Sequence, residues 1–239
     1  MPRRPRVQYS GAIHHVTSRG ASRATLFRTD RDYSVFLATL AGAIGSTRWQ
    51  CLAYCLMPNH YHLLLETPEP NLSEGMHHLN GTYARRFNAE HDHTGHVFDS
   101  RFHTALVTRE SHLFQTARYI VLNPVRAAIA NRPEDWRWSS YRATSAITRS
   151  PSWLRSARLL ALFGADVQSA RYDYREFVRD GIDPWNRGTP PIGDVLTCGS
   201  PEQIITASRT YGYTQAAIAS HLGVSQATVS RIVRRAGVE

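Results

Sequence analysis

The stretch "MPNHYHLLLE" (Met57–Glu66) holds the residue types best suited to chemistry: two histidines one residue apart, a tyrosine between them, and an apolar run behind. On a strand, side chains alternate in direction. His60, His62, Leu64 and Glu66 then share one face, and Tyr61, Leu63 and Leu65 share the other. Imidazoles at i and i+2 are anchored roughly 6.6 Å apart, close enough to converge on one cation, and neutral imidazole nitrogens are good divalent-metal ligands. Glu66 lies about 13 Å along the strand from His62, a poor position for a third ligand. Paired strand histidines are also an ordinary surface feature, so the spacing alone leaves both readings open.

A second set of reactive groups lies in "ARYIVLNPVRA" (Ala117–Ala127). Tyr119 and Asn123 are four residues apart and stack on one helical face. Leu113, Ala117 and Ile120 form a neighbouring apolar stripe that would dock such a helix on a sheet. This arrangement could hold the Tyr119 hydroxyl and the Asn123 carbonyl oxygen beside the histidines. The plain alternative makes Tyr119 a core aromatic and Asn123 a cap before Pro124.

Three segments in order, "YCLMPNHYHLLLE", "GHVFDSRF" and "RYIVLNPVRA", resemble the single-tyrosine HUH (IS200-like) transposases, in particular the REP-associated tyrosine transposases. The likeness runs from about Tyr9 to Tyr141 and includes "DWRWSSY". It implies an α+β, ferredoxin-like HUH domain, an antiparallel sheet with helices packed against it. It further implies Mg²⁺ or Mn²⁺ bound by His60, His62 and Asn123, and Tyr119 as the nucleophile that forms a 5′-phosphotyrosine bond in single-stranded or hairpin DNA. Relatives include dimers that share active sites as well as monomers, so monomer and homodimer are both expected states. Two departures stand out. The central bulky position is the hydroxylated Tyr61, and Asp99 and His103 occupy positions where relatives often carry glutamine and a basic residue. An aspartate beside a phosphate would repel it.

The elements that must position these groups follow from periodicity. Ala12–Gly20 reads as a strand, and His14 and His15 on it are assigned to packing or DNA contact. Phe36, Leu37, Leu40 and Ile44 predict a helix over Asp30–Gly45 with Asp30 as N-cap. Strands at Trp49–Met57 and Tyr61–Glu66 flank a turn made by Pro58, Asn59 and His60. Leu72, Met76, Leu79, Tyr83 and Phe87 mark a helix from Asn71 to Glu90. His91 and His93 read as a solvated turn, Gly95–Val107 looks extended, and a helix over Arg109–Leu122 should break at Asn123-Pro124. Mixed rather than alternating strands and helices suggest α+β with an antiparallel sheet.

Residues 1–180 form the expected first domain, and the proline- and glycine-rich stretch over 181–200 a linker. Within 201–239, "QAAIASHLGVSQATVSRIV" fits an all-α helix-turn-helix: Ala219 at the helix crossing, Gly223 in the turn, Val229 and Ile232 facing inward. Ser225 caps the second helix. Gln226, Ala227, Thr228 and Arg231 would point outward to base edges, with Arg234 and Arg235 on phosphates.

Composition agrees with an anionic partner. The net charge is +9 and the pI about 9.9, as in many nucleic-acid-binding proteins. All 28 basic residues are arginine, a bias that phosphate recognition and a GC-rich genome both produce. Arg85, Arg86, Arg101, Arg118 and Arg126 lie in or near the motifs and are candidate phosphate contacts. Cys51, Cys55 and Cys198 form no CxxC pair, which argues against a disulfide framework or zinc knuckle. With no apolar run after the basic N-terminus and none of membrane-spanning length, a cytoplasmic protein without membrane contact is expected. Two rivals to a transposase remain: a DNA-binding regulator on a catalytically idle scaffold, and a zinc hydrolase, which lacks an evident carboxylate base.

Overall fold

A computed structural model describes residues 8–182, 196, 199–209 and 215–235, and the chain divides into two compact units, residues 1–178 and 179–239. In the first, β1 (Ala12–Arg19), α1 (Asp30–Thr47), β2 (Gln50–Met57), β3 (His60–Thr67), α2 (Leu72–Glu90), β4 (His103–Leu106) and α3 (Glu110–Arg126) follow in order. Shorter helices α4 (Tyr141–Thr144) and α5 (Ser156–Leu160) precede α6 (Val167–Asp180). The sheet order is β2-β3-β1-β4 with every neighbouring pair antiparallel. A βαββαβ chain in that order is the ferredoxin-like arrangement.

Strand β3 lies between β2 and β1, so its register is fixed from both sides: His62 opposes Cys55 on β2 and Thr17 on β1. One face packs Val16, Tyr61, Leu63 and Leu65 against Phe36 and Leu40 of α1 and Leu79 and Tyr83 of α2. The other face receives α3, whose Leu113, Ala117, Ile120 and Val121 are buried. Tyr61 is completely buried and donates its hydroxyl to Asn80 Oδ1 at 2.5 Å.

The helix pair α1–α2 is clamped at both ends. At one end, Trp49 Nε1 donates to Asn71 Oδ1 (2.7 Å) and Asn71 Nδ2 donates to Thr47 O (3.1 Å). The Trp49 ring rests on Gly75, where a Cβ would come within 2.2 Å of its Cζ2. At the other end, Asp32 accepts the backbone amides of Arg28 and Thr29 and pairs with His91 Nε2 at 2.8 Å. Burial by itself would raise the Asp32 pKa. The His91 and backbone hydrogen bonds outweigh it and hold the carboxyl below its usual value.

Several local expectations change. Helix α1 begins with a capping box of Thr29 and Asp32, so Asp30 is the first helical residue rather than the cap. His91 belongs to the buried Asp32 pair, and His93 bonds Asn88 at 2.9 Å, so neither lies in a merely solvated turn. Of the extended stretch 95–107, only His103–Leu106 forms a strand; residues 95–102 form a loop bridged to Gly20 at Phe98. Helix α3 continues through Pro124 to Arg126. Proline there removes one donor in the final turn, and Ala127 N still bonds Asn123 O at 2.9 Å.

The second unit contains α7 (Pro201–Arg209), α8 (Gln215–Leu222) and α9 (Gln226–Arg235) around Leu196, Ile204, Ala207, Ile218, Ala219 and Val229. Gly223 has φ +66°, which a turn between helices requires and glycine adopts freely. Ser225 Oγ accepts the amide of Thr228 at 3.2 Å and meets its hydroxyl at 2.9 Å, and Thr228 is half-buried. Gln226, Ala227 and Arg231 are exposed. The side chains of Arg234 and Arg235, and most of the expected linker over 181–200, lie outside the described residues.

Two stability measurements check the clamps. Gly75→Ala should cost about 1–3 kcal/mol in urea unfolding by displacing Trp49. Asp32→Asn should cost about 1–3 kcal/mol at neutral pH. Because the Asp32 pKa is depressed on folding, its contribution is present in full above the unfolded carboxyl pKa of about 3.9. It is lost as pH falls through the folded value, so the two proteins' stabilities should converge in acid.

Candidate active site

The end of the sheet where β1 finishes and β3 begins, beyond the short β4, opens into a cavity of about 380 Å³. His60 and His62 of β3, His15, Thr17 and Arg19 of β1, and Tyr119 of α3 line it, with Asp99, Ser100 and Arg101 from the loop and His103 of β4. Strand alternation puts both β3 histidines here, their rings 5.0 Å apart and nearly perpendicular. Docking of α3 brings the Tyr119 ring to 5.6 Å from His62, edge to face. Tyr119 is exposed.

The imidazoles are held neutral. Burial, reinforced by the Arg19 cation, pushes His60 down to about 4. Burial also pushes His62 well below its ordinary value, with His60, His15 and Arg19 adding to the effect. His60 Nδ1 lies 2.7 Å from Asn59 Oδ1, which only accepts, so this nitrogen carries the proton and Nε2 keeps its lone pair. His62 Nε2 is buried with no hydrogen-bond partner. A neutral imidazole with a free lone pair beside a buried, unpartnered nitrogen is the donor chemistry a divalent ion takes. These two histidines therefore fit a cation. No group of three or more His, Cys, Asp or Glu side chains among the described residues is placed to hold one.

Asn123 follows Tyr119 by one turn, as expected, and its Nδ2 donates to the Tyr119 carbonyl at 3.0 Å. The bond leaves Oδ1 free to accept, but Asn123 does not line the cavity. Glu66 is taken by Arg158 at 2.5 Å. Arg126 places its guanidinium over the Tyr119 ring, 4.8 Å from the centroid. Arg118 lies over the Phe177 ring at 4.3 Å and donates to Gln115 and to the Phe177 carbonyl, which ties α3 to α6. Arg101 is exposed at the cavity wall. Arg85 and Arg86 are exposed on α2, away from the cavity, with Arg85 bonded to Thr82.

His15 and Arg19 are the residues the sequence did not single out for the site. Their shared parity on β1 was the available signal, but only pairing with β3 gives it meaning. A larger groove of about 750 Å³ runs between α2 and the loop at 95–102, sharing Asp99, Ser100 and Arg101 with the cavity. In the free protein, the His60 ring should titrate by NMR with a midpoint well below 6.5. The ring should therefore gain its second proton only as pH falls toward about 4.

Comparison with known proteins finds matches in both parts of the chain. Residues 8–123 match the family described as "Transposase IS200 like", and residues 202–237 match "Sigma-70, region 4". No curated protein matches. Among solved structures, a REP-associated tyrosine transposase bound to a REP hairpin aligns at 18% identity. The alignment covers 63% of this chain and 89% of that one with a TM-score of 0.54, which shows a shared fold. A Deinococcus radiodurans R1 protein described as a candidate transposase aligns at 20% identity over 50% of this chain and 95% of its own. Its TM-score of 0.37 is too low to add to the argument. No described helix is long and apolar enough to cross a membrane. The ferredoxin-like unit, with its paired strand histidines and its tyrosine helix, is similar to the IS200-like transposases over residues 8–123.

Proposed function

We propose that the protein is a metal-dependent transesterase acting on single-stranded DNA, at or beside a hairpin, with Tyr119 as nucleophile. The observation that carries this reading is the convergence of Tyr119 with His60 and His62 in one cavity, although the tyrosine comes from a different element. The phenol oxygen attacks the scissile phosphorus, the bond to the 3′ oxygen breaks, and a 5′-phosphotyrosine and a free 3′-hydroxyl result. The phosphodiester energy is retained in the new bond, so the hydroxyl can later reverse or redirect the exchange.

His60 and His62 through Nε2, with Asn123 Oδ1 as the third donor, are the residues assigned to Mg²⁺ or Mn²⁺. When bound, such an ion neutralises charge on the scissile phosphate and orients it for in-line attack. Arg126 holds the Tyr119 ring in place, and Arg19 and Arg101 offer positive charge to flanking phosphates at the cavity wall. Asp99 on the same wall restricts where the backbone can run. Residues 1–180 are assigned the chemistry, and residues 201–239, through Gln226, Arg231, Arg234 and Arg235, the reading of duplex DNA near the target. Hairpin DNA as substrate is suggested by the REP hairpin bound to the structural relative.

The test incubates the full chain with hairpin-bearing single-stranded DNA and Mn²⁺ and looks for a covalent adduct on a denaturing gel. Tyr119→Phe should abolish the adduct, and His60→Ala should reduce it at least a hundredfold. An undiminished adduct in Tyr119→Phe would refute the nucleophile. Duplex binding with no cleavage on any hairpin would favour a regulator instead.

A further inference from the structure

We propose that His15 of β1 is a positioning residue for the divalent-ion site: it accepts a hydrogen bond from Nδ1–H of His62 and fixes the tautomer that leaves the His62 Nε2 lone pair for the cation. The inference rests on the metal assignment above and extends it to a residue outside the motif.

Four observations meet at this side chain. His15 Nε2 lies 3.0 Å from His62 Nδ1, and the two rings stack at 5.2 Å with 23° between their planes. His62 Nε2 is buried and has no hydrogen-bond partner. His60, the other donor, already has its tautomer set by Asn59 Oδ1. His15 also meets the Tyr119 ring edge at 5.9 Å, so it touches both a metal donor and the nucleophile.

Only one of the two proton arrangements serves a cation. With the proton on His62 Nδ1, the bond to His15 is satisfied and Nε2 presents a lone pair. With the proton on His15 Nε2, His62 accepts at Nδ1 and must carry its own proton on Nε2. That leaves a buried N–H with no acceptor and nothing to offer a metal. The two donors are thus supported from different places, His60 by the hairpin turn and His62 by the neighbouring strand. Such outer partners orient a ligand ring and raise its basicity. The β1–β3 register makes this possible: Thr17 opposes His62, so His15, two residues along on the same face, is its diagonal neighbour.

The experiment measures Mn²⁺ binding to the full chain without DNA, by calorimetry and by the EPR signal of bound Mn²⁺. His15→Ala should weaken binding by about 10- to 100-fold. His15→Gln, whose amide oxygen can accept the same hydrogen bond, should restore most of the loss. Adduct formation in His15→Ala should recover at saturating Mn²⁺. Thermal unfolding is compared in parallel, and if His15→Ala does not fold, His15→Gln against His15→Leu carries the test. Unchanged affinity in His15→Ala overturns the proposal. So does a complete loss like that of His60→Ala without rescue by glutamine, which would make His15 a direct ligand. Absence of Mn²⁺ binding in the unsubstituted protein would instead remove the metal assignment on which the inference stands.

Discussion

Strand β3 sits between two partners, and that placement governs the rest of the molecule. Hydrogen bonds from β1 and β2 fix its register on both edges, so each side chain is committed to one face of the sheet. Tyr61, Leu63 and Leu65 are committed to the core under α1 and α2, and His60 and His62 to the face that α3 covers. A slip of one residue would bury the histidines among aromatic rings and turn Tyr61, Leu63 and Leu65 toward α3. The core's apolar demand thus holds His60 and His62 in place. Burying Tyr61 and presenting His62 are two results of one constraint.

The same economy appears in the helices. The helices α1 and α2 are joined at one end by Trp49, Asn71 and Gly75 and at the other by Asp32 and His91. Both joints use a buried polar group whose hydrogen bonds are satisfied only when the two helices align, which makes the pair a rigid backing for the sheet. On the opposite face, α3 is seated by an apolar stripe and tied to α6 through Arg118 and Phe177. Tyr119 therefore rides on an element fixed from two sides, while its ring remains exposed to the cavity.

Much of this could be read directly from periodicity. Alternation in "HYHLLLE" assigned Tyr61 to the packed side, and the spacing of Leu113, Ala117 and Ile120 identified the docking face of α3. The helix-turn-helix was equally legible, because Gly223 in the turn and Val229 facing inward are local requirements. Where local signals misled, a long-range partner was the cause. His91 looked solvated because Asp32, its partner, is far away in sequence. Pro124 looked like a helix end because its cost was visible and the packing of the surrounding turn was not. The packing of Arg118 over Phe177 was likewise invisible, because the two lie on different helices.

The sequence by itself determined which residues share a face, since a strand's period of two and a helix's of 3.6 are properties of the backbone alone. It also carried the ordered motifs that resemble those of the IS200-like transposases. Only the tertiary structure decided which faces meet. It set His15 against His62, Tyr119 against both, and Arg126 over the tyrosine ring. It also made the imidazoles neutral, because burial and the nearby Arg19 charge arise only when strands and helix close around them. Residue type supplies the donor atoms, but the protonation state and direction of each come from neighbours brought in by the fold.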